Sequence, residues 1–120
     1  MEDSEAIQKI SKDLNLGSRA DDYGDWGIIN ADYKRTSEFI AYFNDTRAEN
    51  FDDCALIELI TASFEEALFK KYADTEMKNS FQEFIQWIVK EKVCPDTIEY
   101  WRKRSLGSKS HPLCAFLKNK

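Results

Sequence analysis

One hundred and twenty residues make one domain, able to bury roughly two-thirds of the surface that its unfolded chain would expose. A hydrophobic content of 42% with 13% aromatics excludes wholesale disorder, and only four glycines and two prolines argue against an all-β design full of tight turns. Charge is lopsided: residues 1–66 carry sixteen Asp and Glu against six Lys and Arg, residues 67–120 carry six against eleven, and the chain nets −5.

The first helix is predicted to start at a cap on Asp3 or Ser4 and to bury Ile7, Ile10 and Leu14, with Gly17 just past its end. Residues 18–31 break the periodicity. They hold two of the glycines and the cluster Asp21, Asp22, Tyr23, Gly24, Asp25 and Trp26, and Ile28-Ile29 has no convincing second strand to pair with, so the stretch reads as an irregular acidic loop. Asp32 caps a second helix to about Asn44 that buries Phe39, Ile40 and Phe43.

The third helix has the clearest pattern. Leu56, Leu59, Ile60, Ser63, Phe64, Ala67 and Leu68 recur at helical spacing, with Asp52 and Asp53 in the first turn and Lys70 and Lys71 in the last, each sign suited to the helix dipole. Asp74 caps a fourth helix through about Lys92, with Met77, Phe81, Phe84, Ile85 and Ile88 inward. Pro95 is tolerated in a first turn, so a short fifth helix starts at Cys94 or Asp96 and bears Ile98 and Trp101. After Gly107 a basic tail, residues 105–120 in all, is expected to dock through Leu113, Cys114, Ala115, Phe116 and Leu117. The expected class is all-α: a single-domain bundle of about five helices.

No apolar run approaches the roughly 20 residues of a membrane span, and the start Met1-Glu2-Asp3-Ser4-Glu5 lacks the basic and apolar regions of a signal peptide. The expectation is a soluble cytoplasmic protein whose three cysteines, Cys54, Cys94 and Cys114, are reduced, since an odd number without a CxxC pair suits neither a disulfide framework nor zinc.

Few residues suggest chemistry. Read as a calcium loop, the Asp21–Asp25 cluster puts Tyr23 at position 3, Trp26 where glycine is needed and Asp32 where glutamate is needed. Read as an interaction loop, it interleaves carboxylates with Tyr23 and Trp26, the mixture of binding hot spots; the plain alternative is solvated aspartates with Trp26 capping the core. Glu58 and Glu65 fall on the outer stripe of the third helix, a solvated face with no catalytic pair. His111 and Cys114 lie in the tail with nothing to position them as a nucleophile and base. Arg102, Lys103 and Arg104 end a helix in an acidic protein, which weighs against direct nucleic-acid binding. No catalytic residue, metal site or cofactor site is indicated, nor a small-molecule substrate or a membrane.

Three stretches resemble small bacterial immunity proteins of polymorphic and contact-dependent toxin systems. They are Asp25-Trp26 leading to Glu38-Phe39-Ile40-Ala41-Tyr42, the run from Ala55 to Glu65 (ALIELITASFE), and Thr97-Ile98-Glu99-Tyr100-Trp101. The resemblance implies a small cytoplasmic, non-enzymatic protein that neutralises a basic toxin domain, commonly a nuclease, by covering its active site. The basic second half departs from a uniformly acidic inhibitor. The expected partner surface is Asp21, Asp22, Tyr23, Asp25 and Trp26 with Glu49, Asp52 and Asp53, because carboxylates steer a cationic partner and loops on a helical scaffold carry recognition. The other expectation is a helical adaptor or regulatory subunit, in which the basic half matters equally.

Overall fold

Two aspartates start helical segments where the sequence predicts caps. The Asp32 carboxylate accepts the Lys34 N–H at 3.0 Å, and Asp74 accepts the Met77 N–H at 2.8 Å, each satisfying a donor left open at a helix N-terminus. The computed structural model describes residues 3–16, 27, 30–50, 54–106 and 116, with backbone alone for residues 3–6, 47–50, 105 and 106. Among these it contains five α-helices and no strand: α1 (Asp3–Leu14), α2 (Thr36–Asn50), α3 (Cys54–Phe69), α4 (Thr75–Lys90) and α5 (Pro95–Leu106). A 3₁₀ turn, Tyr33–Arg35, lies between the Asp32 cap and α2. The class is all-α.

The helix ends differ from expectation in instructive ways. α2 runs to Asn50 rather than stopping near Asn44, and α4 stops at Lys90 rather than Lys92. α1 turns off at Asn15 (φ 58), before Gly17 is reached. Asn15, Lys71 (φ 57) and Lys92 (φ 56) each take the left-handed conformation just past a helix. The next N–H then reaches back five residues: Leu16 to Ser11 O, Tyr72 to Ala67 O and Val93 to Ile88 O, at 2.8, 2.8 and 3.0 Å. These are Schellman caps built without glycine. Arg35 adds another closure, donating from Nη2 to the Leu14 carbonyl at 2.7 Å and so tying the end of α1 to the turn before α2.

α3 is the central element. It contacts α1, the 3₁₀ turn, α2 and α5, and from Leu56 to Ala67 only Glu58 and Glu66 escape full burial. The buried polar residues on it are satisfied: Thr61 Oγ1 donates to the Ile57 carbonyl at 2.9 Å, and Ser63 Oγ accepts the Asp32 N–H at 3.0 Å. Around α3, one core joins Ile7, Ile10 and Leu14 of α1, Phe39, Ile40 and Phe43 of α2, the α4 stripe from Met77 to Ile88, and Ile98 and Trp101 of α5. Phe64 stacks on Phe81 at 4.0 Å between centroids, and Phe43 meets Phe84 and Trp87 edge-on at 5.0 and 5.6 Å. Of the tail, Phe116 is described; it packs edge-on against Phe64 at 5.1 Å and Phe81 at 5.8 Å.

The cysteine expectation is overturned for two of the three. Cys54, the first residue of α3, is disulfide-bonded to Cys94, the residue before Pro95. A separation of forty positions carries no spacing signature; α3 and α5 pack together and bring their first turns into reach. Cys114 lies outside the described residues.

Candidate functional site

Asp21, Asp22, Tyr23, Asp25, Trp26, Asp52 and Asp53 lie outside the described residues, and Glu49 is placed only by its backbone, in the last turn of α2. Their points of attachment are nevertheless described. Leu16, before the first acidic segment, packs partly buried against the core. Gly27, after it, is helical and buried against α3 so tightly that an added Cβ would lie 2.9 Å from Leu59 N and 3.1 Å from Glu58 Cβ. Asp32 then anchors the chain through its N–H to Ser63. The second acidic segment ends at Cys54, which the disulfide holds. Cys54 and Glu58 are one helical turn apart, about 6 Å along the axis. The C-terminal ends of both acidic segments therefore meet the scaffold within the first two turns of α3.

The two glutamates assigned to a solvated stripe do not share one. Glu58 is half-buried beneath Gly27, and Glu65 is 9% exposed. Arg104 of α5 donates to both Glu65 oxygens, Nε at 3.2 Å and Nη2 at 3.3 Å, and lies over the Trp101 ring at 5.4 Å. Hydrogen bonding to Glu65 holds the guanidinium above its ordinary pKa despite partial burial. This pair lines a crevice of about 450 Å³ between α3 and α5, walled by Phe69, Trp101 and Ala62 and reached by Ala31. The Trp101 Nε1–H is buried without a hydrogen-bond partner among the described residues. Sequence reasoning missed the site because a helical wheel places Glu65 opposite Leu56, and only the packing of α5 on α3 shows that this side is covered as well.

The basic run at 102–104 is largely engaged within the molecule. Arg102 donates to Glu99 at 2.8 Å, Arg104 is taken by Glu65, and Lys103 is exposed. A cationic, aromatic corner lies elsewhere, at the end of α3. Phe69 and Tyr72 are 60% and 47% exposed, Tyr72 meets Tyr33 edge-on at 5.1 Å, and the ammonium groups of Lys70 and Lys34 sit over the Tyr33 ring at 5.2 and 5.8 Å. Among the described residues no cluster of three or more His, Cys, Asp or Glu is arranged to hold a metal, and no helix is long and apolar enough to cross a membrane. No protein family, curated protein or solved structure matches the chain.

Proposed function

We propose that this is a non-enzymatic immunity or inhibitor protein of the cytoplasm, which binds and neutralises a basic toxin domain of the nuclease class. The observation that carries the reading is that the residues ending both acidic segments, Gly27 and Cys54, lie at the first two turns of α3, in the half of the chain that holds sixteen carboxylates. Two of the six cations of that half are held in internal pairs: Lys9 binds Asp13 at 3.0 Å and Arg35 binds Glu38 at 2.6 Å. By sequence, segments 21–26 and 51–53 add five aspartates and no cation, a composition suited to steering a cationic partner.

The test is association with the product of the adjacent reading frame, where that frame ends in a basic domain. The on-rate falls about tenfold between 50 and 300 mM salt, and reversing Asp21 and Asp22 to Lys lowers it further while Trp26→Ala mainly raises the off-rate. A charge-reversed variant that folds and binds at the parental rate rules out this interface. A second reading, a helical adaptor bridging two partners, is favoured by the exposed Phe69 and Tyr72 beside Lys70. It requires that Phe69→Ala and Tyr72→Ala weaken binding of a partner that tolerates the Asp21 and Asp22 reversals.

A further inference from the structure

We propose that the Cys54–Cys94 disulfide is a reversible redox latch that clamps α5 onto α3. Three observations converge on the turn it holds. The turn 92–94 contains two residues with side chains in the left-handed region: Lys92 at φ 56, which the cap of α4 accounts for, and Cys94 at φ 47, a conformation that persists only where surrounding structure enforces it. Cys94 also starts α5, since its carbonyl accepts the Thr97 and Ile98 N–H groups at 3.0 and 3.3 Å. An open surface cleft of about 250 Å³, lined by Val89, Lys92, Val93, Pro95 and Ile98, lies directly against the turn. Of the turn only Val93 is buried in the core, so the crosslink adds a second restraint to a segment whose Lys92 and Cys94 backbone is left-handed, the kind that opens locally before the core does.

The other half of the bond is accessible, because Cys54 is exposed at the start of α3. A dithiol attacks there, forming a mixed disulfide as the Cys94 thiolate leaves and takes up a proton. The second thiol of the reagent then displaces Cys54, so two electrons and two protons pass to the protein and the reagent closes to its own disulfide. Once cut, the turn is free to leave the left-handed region, α5 loosens, and the Glu65–Arg104 contact with the crevice beside Trp101 opens. In a reducing compartment such bonds are transient and sensing, and the cytoplasmic setting proposed above makes this one a switch.

The experiment uses the full chain under native conditions, with dithiothreitol as the reductant. Alkylation followed by mass spectrometry shows two further cysteines modified without denaturant. Hydrogen exchange accelerates about tenfold or more in residues 95–106 while α3 and α4 keep their protection, and reoxidation restores the first pattern. A bond that resists dithiothreitol until the protein is unfolded, or exchange that rises equally in every helix, overturns the latch. The strain component is read from a variant pair. Cys54→Ser with Cys94→Gly lacks the bond but accepts the φ of 47 without strain, and its α5 exchanges more slowly than that of Cys54→Ser with Cys94→Ser; equal exchange in the two overturns strain as the driving force.

Discussion

Glu65 and Arg104, thirty-nine residues apart, join α3 to α5 through a guanidinium that reaches both carboxylate oxygens, on a helix buried mainly by apolar contact. The carboxylate is nearly enclosed whereas the arginine side chain is half in water, with side-chain exposures of 12% and 49%. Removing the arginine therefore costs more than losing a surface pair. Arg104→Ala is expected to lose about 1–2 kcal/mol in urea unfolding, and a double-mutant cycle with Glu65→Gln yields a coupling of about 1 kcal/mol. The same cycle on the exposed Lys9–Asp13 pair yields only a few tenths of a kcal/mol.

Gly27→Ala tests the attachment of the first acidic segment. The new methyl meets backbone at Leu59 N as well as the base of the Glu58 side chain, and neither moves as a flexible tip would. The cost is about 1–3 kcal/mol, as for overpacking in a core. Circular dichroism reads the helices, which remain, while the binding rate to a cationic partner falls because the segment is displaced. An unchanged melting temperature contradicts the close approach.

Lysine occupies a left-handed position after α3 and again after α4, so glycine is the better residue at either site. Both lysines are exposed, but Lys71→Gly is the cleaner choice, since Lys92 also lines the cleft beside the disulfide turn. The gain is about 0.5–1 kcal/mol, the left-handed penalty on a side chain less the extra entropy of glycine in the unfolded chain. A higher urea midpoint with an unchanged slope is the expected result; the same glycine placed at Lys70, inside the cap, lowers it.

Acid sensitivity follows from two carboxylates. Asp13 is held below its ordinary value of 3.8, first by the Tyr42 hydroxyl at 2.7 Å and then by Lys9. Glu38 is held below 4.5 chiefly by its hydrogen bonds from Arg35. A folded value below the unfolded one means that the unfolded chain takes up protons first. Their contribution is full above the unfolded values and is lost as pH falls through the lowered folded ones. Urea midpoints should hold steady from pH 7 to about 5 and then decline below about 4. Tyr42→Phe with Glu38→Gln flattens that decline; a slope identical to the parent's refutes the assignment.

What the sequence disclosed depended on whether the signal was local. Asp32, Asp74 and Pro95 announce helix starts because caps and first-turn prolines act within four residues. The α4 stripe of Met77, Phe81, Phe84, Ile85 and Ile88 is legible because one side of that helix stays wet. α3 misleads for the opposite reason. Neighbours on several sides bury Thr61, Ser63 and Glu65, and the partners of the last two, Asp32 and Arg104, are distant in the chain. The disulfide had no signature short of the fold itself. The helix ends at Asn15, Lys71 and Lys92 were obscured because glycine, the usual marker, is absent from all three. For the candidate site, the sequence points to the acidic residues, whereas Gly27 and Cys54, which bring their attachments together, become meaningful only once α3 is placed.

The central position of α3 also bears on the order of folding. It occupies residues 54–69 of a chain of 120, so helices that precede it and helices that follow both close relatively short loops to reach it. The chain can condense outward from its own middle, with α2 and α3, joined by a short connection, as the first pair to dock. Leu59→Ala and Ile60→Ala are then expected to slow refolding nearly in proportion to the stability they remove, whereas Ile98→Ala in α5 acts mainly by speeding unfolding.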